Sequence, residues 1–294
     1  MPTEERTTPV LNLLTVDLEE WFVVEALNSI CPRDSWESLP STIVANTRRL
    51  LKLFRRYHVK ATFFTVGWCA EKNPLLIQEV VDDGHEIACH SYYHRRVDTL
   101  SPEEFQRDTE RAMDAIVKAS GTLVVGYRAP SWSMGVRTPW AFEILSKLGF
   151  EYDSSIFPIK HDIYGMPDGP RKVFRMQFEG NRTLFEVPGS TFRLLGANVP
   201  IGGGGFLRHS PYWYTKRRLE EINASGDPAN VYLHPWELDP DPPRIPGLSA
   251  LQKFRMYSST NHMETRLERL LSDFEFVTMG EYLATRRRQQ IGFR

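Results

Sequence analysis

Two histidines four residues apart, His90 and His94, have a spacing that suits a divalent metal ion. Residues four apart project from the same side of a helical turn, so both imidazoles can reach one ion. Catalytic zinc usually has three protein ligands and an open position for water, so a third ligand must come from elsewhere in the chain. The same spacing is frequent among surface histidines, and the pair alone does not decide between these interpretations.

Asp17 and Glu19 can supply carboxylates for such a site. They follow an apolar run at residues 10–16 that predicts a buried strand, and strand residues two apart share a face. Of two carboxylates on one face, one can bind the metal while the other takes a proton from water. Glu20 points to the opposite face of this strand and is the weaker candidate ligand. The alternative interpretation is a solvated acidic strand end.

The composition excludes several classes of function. The chain has 294 residues with 36 basic and 37 acidic side chains, so its charge favours neither nucleic acid nor an anionic membrane as a partner. Its three cysteines form no CxxC pair, which indicates a reducing compartment. The early apolar run is shorter than a signal peptide or a membrane span requires. We therefore expect a cytoplasmic protein without a transmembrane segment.

Helix boundaries recur along the middle of the chain. Three apolar stretches each begin with a capping residue and a proline and end at a glycine; they start at Asn73-Pro74, Ser101-Pro102 and Thr138-Pro139. A strand pattern follows each glycine, and a helix near residues 43–57 precedes the β-rich residues 61–66. Alternating helices and strands predict an α/β fold with a parallel sheet and right-handed crossovers.

Polar residues stand at the carboxyl ends of the predicted strands. They are Asp17, Glu19, His90, Arg128, Asp153 and His234. In a closed or nearly closed β/α barrel these strand ends share one rim, where active sites are built. Each residue alone is unremarkable because strand ends are usually polar. Together they predict an active site at that rim.

These motifs resemble those of the NodB-homology polysaccharide deacetylases, carbohydrate esterase family 4, over most of the chain. The family motifs correspond to residues 14–19, 90–94, 128–130, 153–155 and 233–234. The resemblance implies a distorted (β/α) barrel, TIM-like, with about seven parallel strands, forming a single domain over residues 1–294. Leu18 stands where many members have a second adjacent aspartate, so Glu19 is the expected carboxylate ligand, with Glu20 as the other candidate.

Three longer strings resemble one subgroup of that family. They are residues 17–22, Gly203 to Phe206, and His234 to Glu237. This subgroup is found with exopolysaccharide and exosortase gene clusters, and its members carry a C-terminal extension. The resemblance implies a cytoplasmic deacetylase acting on an acetylated amino sugar in surface-polysaccharide assembly. That sugar can be nucleotide-linked, lipid-linked or polymeric.

The predicted chemistry begins with one divalent ion, expected to be zinc, held by Glu19, His90 and His94. Such an ion lowers the pKa of water and polarises the acetamide carbonyl. Asp17 is predicted to be the general base. Arg128 is predicted to pair with Asp17 through a charge-assisted contact that can be bidentate, although a purely structural salt bridge is the alternative.

His234 is predicted to protonate the departing amine, a task that suits a group titrating near neutrality. Asp153 is expected to orient or tune this histidine, and a turn or capping aspartate is the alternative. Trp21, Trp132 and Trp236 each follow a predicted rim residue and are candidates for stacking on a sugar ring, although most tryptophans simply pack.

Two other functions stay open at this point. A metal-dependent amidase that opens a small cyclic amide or imide can use the same site, as in the allantoinase-like relatives. A non-catalytic carbohydrate-binding protein is less favoured, because every catalytic role has a candidate residue. The sequence does not determine the sugar, the native metal or the oligomeric state, and a homo-oligomer is allowed.

Overall fold

The computed structural model describes residues 10–161 and 164–291. Residues 1–9, which are part of the expectation that the chain has no signal peptide, lie outside the described residues. A mainly parallel sheet forms the centre of the fold, and its strand β1 (Asn12–Leu18) is buried along its whole length. Burial on both faces explains why this strand is an apolar run rather than an alternating pattern.

The other strands are β2 (Thr62–Thr65), β3 (Glu86–Cys89), β4 (Gly126–Tyr127), β5 (Tyr152–Asp153), β6 (Phe174–Gln177), β7 (Thr183–Glu186), β8 (Thr191–Leu194), β9 (Ala197–Pro200), β10 (Asn230–Leu233) and β11 (Phe276–Val277). The helices are α1 (Ile43–Tyr57), α2 (Gly67–Lys72), α3 (Pro74–Asp82), α4 (Pro102–Ser120), α5 (Pro139–Lys147), α6 (Gly204–His209), α7 (Tyr212–Ala224), α8 (Ala250–Tyr257), α9 (Met263–Asp273) and α10 (Met279–Ile291).

The large sheet has the strand order β10-β1-β2-β3-β4-β5-β7-β6, and β11 also pairs with β1. Its pairs are parallel except β6 with β7. The sheet curls into a half-barrel. Beyond the strand pairing, the Asn230 side chain at the start of β10 binds the carbonyl of Pro188 after β7 at 3.3 Å. The predicted α/β barrel is confirmed in this open form.

The helix boundaries follow the predicted signals. Ser101 and Glu104 form a complete capping box at the start of α4, and Gly121 ends that helix with a left-handed backbone at φ 68°. Proline also opens α3 and α5, but the preceding Asn73 and Thr138 make no capping hydrogen bond through their side chains. The prolines therefore mark these two starts better than the caps do.

The elements after β5 are those that the sequence pattern predicted least. Strands β6 and β7, the antiparallel hairpin of β8 and β9, and helices α6, α8 and α9 were not predicted. The alternation of helix and strand patterns is weak in this part of the sequence, and part of the hairpin is exposed. Near the end of the chain the sequence predicts a strand at residues 274–277 and a helix at residues 279–286, and these are present as β11 and α10.

Candidate active site

The carboxyl ends of β1, β3, β4 and β10 converge on one cavity of about 220 Å³. Five of the predicted catalytic and metal-binding residues line it: Asp17, Glu19, His90, His94 and His234. Parallel strands bring their carboxyl ends to a common edge, and the loops beyond those ends carry the side chains inward. The rim that the sequence predicted therefore exists.

The His90 to His94 segment is not the helical turn that its spacing suggested. It is a loop after β3, and Ser91 and His94 have left-handed backbones with φ of 59° and 52°. Such conformations are unfavourable for residues with a side chain, so the surroundings must hold them. The buried Asp108 carboxylate on α4 accepts the Tyr92 main-chain N–H at 2.8 Å. The loop also packs closely against Gly67, where an added Cβ would lie 2.8 Å from the Tyr92 ring.

Glu19, His90 and His94 form a buried cluster whose ligand atoms all lie within 4.8 Å of one another. Oε2 of Glu19 is 2.9 Å from Nε2 of His94 and 3.9 Å from Nε2 of His90. Glu20 is not part of this cluster, because it turns away and accepts hydrogen bonds from Ser41 and Thr42. Two imidazole nitrogens and one carboxylate oxygen are a donor set typical of a catalytic zinc.

Two further observations show that these residues fit a metal ion. Oε2 of Glu19 is buried and accepts no hydrogen bond with good geometry, although a buried carboxylate oxygen normally needs a partner. Nδ1 of His90 lies 2.7 Å from the main-chain oxygen of Arg128. Its proton must therefore be on Nδ1, which leaves the Nε2 lone pair for an ion.

The ionisation states also suit a metal ligand set. Burial opposes ionisation of Glu19, but the neighbouring His94, His234 and His90 lower its pKa to about 2. Burial lowers the pKa of His90 to about 4, so this imidazole is neutral. For His94, burial is outweighed by the adjacent Glu19 carboxylate, and the pKa is raised. A metal ion would compete with the proton on His94.

Arg128 and Asp17 are paired, as predicted. Nη1 of Arg128 donates to Oδ1 of Asp17 at 2.6 Å and to Thr15 at 3.0 Å, while Nη2 donates to Ser154 at 3.1 Å. Arg128 therefore makes one hydrogen bond to Asp17 and not the two of a bidentate pair. The rest of the guanidinium binds β1 and the loop after β5. The second oxygen of Asp17 stays directed toward the cavity, 3.8 Å from Nε2 of His234.

The partner of His234 is Glu237, the last residue of the motif at residues 234–237, for which no role was predicted. Oε2 of Glu237 accepts the main-chain N–H of His234 at 2.9 Å and lies 3.2 Å from Nδ1. Burial would lower the pKa of His234, but this contact and the charges of Glu19, Glu237 and Asp17 raise it to about 9. A glutamate three residues after a polar residue is a capping signal, and it was the available clue.

The structure does not place Asp153 against His234, and its contacts agree with the alternative interpretation of a turn aspartate. Its carboxylate accepts the Ser155 main-chain N–H at 3.2 Å and the Ser155 hydroxyl at 2.6 Å, and it is directly paired in register with Glu186 on β7. Ser155 in turn accepts the Ala129 N–H at 2.8 Å. Asp153 is thus a buried turn aspartate beside Arg128 and has no contact with His234, which lies on another strand end.

The predicted tryptophans differ in position. Trp132 and Trp236 line the cavity. The Trp236 ring stacks on His234 with centroids 4.9 Å apart, and its N–H donates to Glu19 at 3.3 Å. Trp21 is not at the cavity: it packs edge-on against Phe22 and donates to the Pro40 carbonyl at 2.9 Å. Trp21 is therefore not placed to stack on a sugar bound in this cavity.

The C-terminal half of the chain closes one side of the cavity. Gly204 and Gly205 at the start of α6 line it, together with Arg255 and Met256 of α8. The preceding Gly203 lies against the face of Tyr232, where an added Cβ would be only 1.9 Å from the ring. The glycine run therefore allows close packing of α6 on β10. No sequence motif indicated the contribution of α8.

Comparison with known proteins adds to this geometry. Residues 35–152 match the polysaccharide deacetylase family model, and residues 154–284 match a domain of unknown function, DUF3473. A peptidoglycan deacetylase from Helicobacter pylori is 34% identical over 108 residues, which are 37% of this chain and 36% of the relative. The chain spans about a third of the length of the curated relatives it matches first.

Two solved structures share the fold. A protein from Mycobacterium smegmatis described as a polysaccharide deacetylase covers 96% of this chain and 96% of its own, with a TM-score of 0.62 and 20% identity. A CE4 family pseudoenzyme from Bacillus anthracis covers 93% of this chain and 65% of its own, with a TM-score of 0.51 and 15% identity. The family model and the curated relative support the polysaccharide deacetylase (NodB/CE4) family. The structures support the fold alone, since one fold can serve several functions.

Among the helices of the described residues, none is both long enough and apolar enough to cross a membrane.

Proposed function

We propose that this protein is a metal-dependent de-N-acetylase that removes the acetyl group from an acetamido sugar. One observation carries the proposal: the Glu19, His90 and His94 cluster faces the same cavity as Asp17 and His234. A ligand cluster, a base and an acid are the groups that metal-assisted amide hydrolysis needs. We further propose that the ion is zinc, which the two imidazoles and one carboxylate favour.

When bound, the divalent ion would supply Lewis-acid chemistry at the amide carbonyl. Asp17 is the proposed base. Arg128 holds one of its oxygens at 2.6 Å and leaves the other toward the cavity. The single charge-assisted hydrogen bond orients the carboxylate without occupying both oxygens. Asp17 can therefore accept a proton from a water molecule that attacks the acetyl carbon.

His234 is the proposed acid. Despite burial, the contact with Glu237 raises the pKa of His234 and so favours its protonated form, and Glu237 fixes the ring so that Nε2 faces the cavity. An amine is a poor leaving group until it is protonated, so donation from Nε2 lets the carbon-nitrogen bond break. Trp236 stacks on the ring and limits its movement.

For the substrate, we propose an acetylated amino sugar of a surface polysaccharide or of its precursor. The name of the Helicobacter pylori relative supports an acetylated glycan. The subgroup associated with exopolysaccharide clusters is part of the same proposal. It is supported by the motifs at residues 203–206 and 234–237, which lie within the part matched by the DUF3473 model.

Two alternatives are weaker. A cyclic amidase gains no support from the relatives described above. A non-catalytic protein has a precedent in the Bacillus anthracis pseudoenzyme, which shares the fold. In this chain, however, a candidate base, acid and ligand cluster all face one cavity.

Acetate release from acetamido sugars of increasing size, measured before and after chelation and after zinc is restored, tests the proposal. Small cyclic amides and imides should be included. We expect acetate release from a sugar substrate. This release should depend on the metal and should be lost in Asp17→Asn. Ring opening without acetate release would favour the amidase. No turnover by the zinc-loaded protein on any substrate would contradict catalysis.

A further inference from the structure

Arg208 is a buried arginine that the chemistry described above does not use. It lies on α6, its side chain is only 3% exposed, and its Nε is 2.9 Å from Oε1 of Glu237, an ion pair without the geometry of a hydrogen bond. A buried guanidinium is costly unless its charge and its N–H groups have partners. The partners of Arg208 therefore show what this residue holds in place.

Its remaining nitrogens bind the end of α8. Nη2 donates to the main-chain oxygen of Arg255 at 2.5 Å, and Nη1 donates to those of Met256 and Ser258 at 3.3 and 3.4 Å. The last carbonyls of a helix have no partner within the helix, and a cation is favourable there. Arg208 thus fixes the part of α8 that lines the catalytic cavity.

Glu237 connects this arginine to the proposed acid. One carboxylate oxygen of Glu237 faces Arg208, and the other binds the main-chain N–H of His234 at 2.9 Å and lies 3.2 Å from its Nδ1. The Arg208 guanidinium also lies over the Trp236 ring, 5.6 Å from its centroid. Trp236 is the residue that stacks on His234.

We propose that Arg208 is a positioning residue for the deacetylation, an inference that rests on the proposed function. Arg208 holds the Glu237 carboxylate in the orientation that fixes the His234 ring, and it ties this dyad to the α8 wall of the cavity. Without Arg208, Glu237 has no partner behind it and can turn away from Nδ1. The His234 ring then loses the orientation that aims Nε2 at the leaving amine.

A purely structural role for Arg208 makes a different prediction. If Arg208 only stabilised α8, its removal would lower the turnover of every substrate to a similar extent. If it positions the acid, an amide must suffer more than an activated acetate ester, because the ester's leaving group departs without a proton. The ratio of the two turnover numbers therefore separates the roles.

The test compares Arg208→Met and Arg208→Lys with Arg217→Met, a control at an exposed arginine of α7. Each is assayed on an acetamido oligosaccharide and on 4-nitrophenyl acetate, with metal content and circular dichroism recorded. We expect Arg208→Met to lower kcat on the amide by about 10-fold or more, a part of the 10²–10⁴-fold that general-acid catalysis contributes. The ester should lose much less, Arg208→Lys should lie between, and the control should match wild type.

Chemical rescue provides a second readout. Guanidinium chloride at low millimolar concentration should restore part of the amide activity of Arg208→Ala, relative to equal sodium chloride, and should restore none in His234→Ala. Equal losses of turnover on the amide and the ester would overturn the inference. If Arg208→Met and Arg208→Ala do not fold, an unchanged ratio of amide to ester turnover in Arg208→Lys would overturn it instead. A wild-type protein that releases no acetate would instead refute the proposed function, and this inference with it.

Discussion

Oδ2 of Asp17 and Nε2 of His234 lie 3.8 Å apart across the candidate active site. This distance is too long for a hydrogen bond, so neither group satisfies the other and both stay available to a ligand. Each is fixed from behind by a different partner, Asp17 by Arg128 and His234 by Glu237. The arrangement separates a proton acceptor from a proton donor, as acid-base catalysis of amide hydrolysis requires.

The metal cluster can be tested without an activity assay. His90→Ala and His94→Ala should each lower zinc affinity strongly, because a site with two protein ligands holds zinc poorly. Metal content after dialysis and circular dichroism are the measurements. Glu20→Gln is the matched control, since Glu20 points away from the cluster, and it should keep its zinc. Full occupancy in both histidine variants would contradict the assignment.

Asp17→Asn should retain the metal and lose about 10²–10⁴-fold in turnover, the usual weight of general-base catalysis. The amide can still accept the hydrogen bond from Arg128 through its oxygen, so the fold should be kept. Metal analysis and the acetate-release rate check this. Loss of metal together with activity would show that Asp17 is a ligand.

His234→Ala should distinguish an acid from a binding residue. Hydrolysis of the amide should fall steeply because its amine must be protonated, whereas an activated acetate ester should be hydrolysed with a much smaller loss. Steady-state kinetics on both substrates are required. Should the two rates fall equally, His234 positions the substrate and does not protonate it.

Glu237→Gln should move the pH profile. Burial lowers the pKa of His234, but the contact with Glu237 and its negative charge both raise it in the folded protein. Removing the charge lowers this pKa, so the basic limb of kcat/KM, where the proton of His234 is lost, should move to lower pH. The profile of Arg217→Met serves as the control. A limb that stays in place would mean that another group controls it.

His85 should make the folded protein sensitive to acid. It is buried, its Nδ1 accepts the Ala61 N–H at 3.1 Å, and burial lowers its pKa to about 4. In the unfolded chain the pKa of a histidine is about 6.5, so between pH 6.5 and pH 4 the unfolded chain binds a proton at His85 that the folded protein does not bind. The stability that is present above pH 6.5 is therefore lost as the pH falls toward 4. His85→Asn keeps an acceptor but cannot titrate.

Urea unfolding at pH 7.5 and pH 5 measures this effect. Between pH 7.5 and pH 5, the free energy of unfolding should fall by roughly 1–2 kcal/mol more in the wild type than in His85→Asn. This is the effect expected for a histidine that is buried in its neutral form. Identical pH dependence in the two proteins would show that His85 contributes nothing to acid sensitivity.

Sequence patterns determined the alternation of helices and strands and the polar residues at the strand ends. Both are local properties: helix starts depend on neighbouring residues, and every second residue of a strand shares a face. The spacing of Asp17 and Glu19 was therefore enough to assign both to one side of their strand. Zinc as the ion, the cytoplasmic location and the role of each residue stay predictions, because they depend on binding, transport and turnover rather than on the fold.

Tertiary structure alone decided which partners these residues have. Asp153 and Glu237 are both carboxylates near predicted site residues, yet only Glu237 reaches His234, because a turn of three residues returns it to the ring while Asp153 lies on another strand. Likewise, the loop that contains the left-handed backbones of Ser91 and His94 is held at Tyr92 by residues distant in sequence, Gly67 and Asp108. Contacts between distant segments depend on how whole elements pack, and no local pattern encodes that packing.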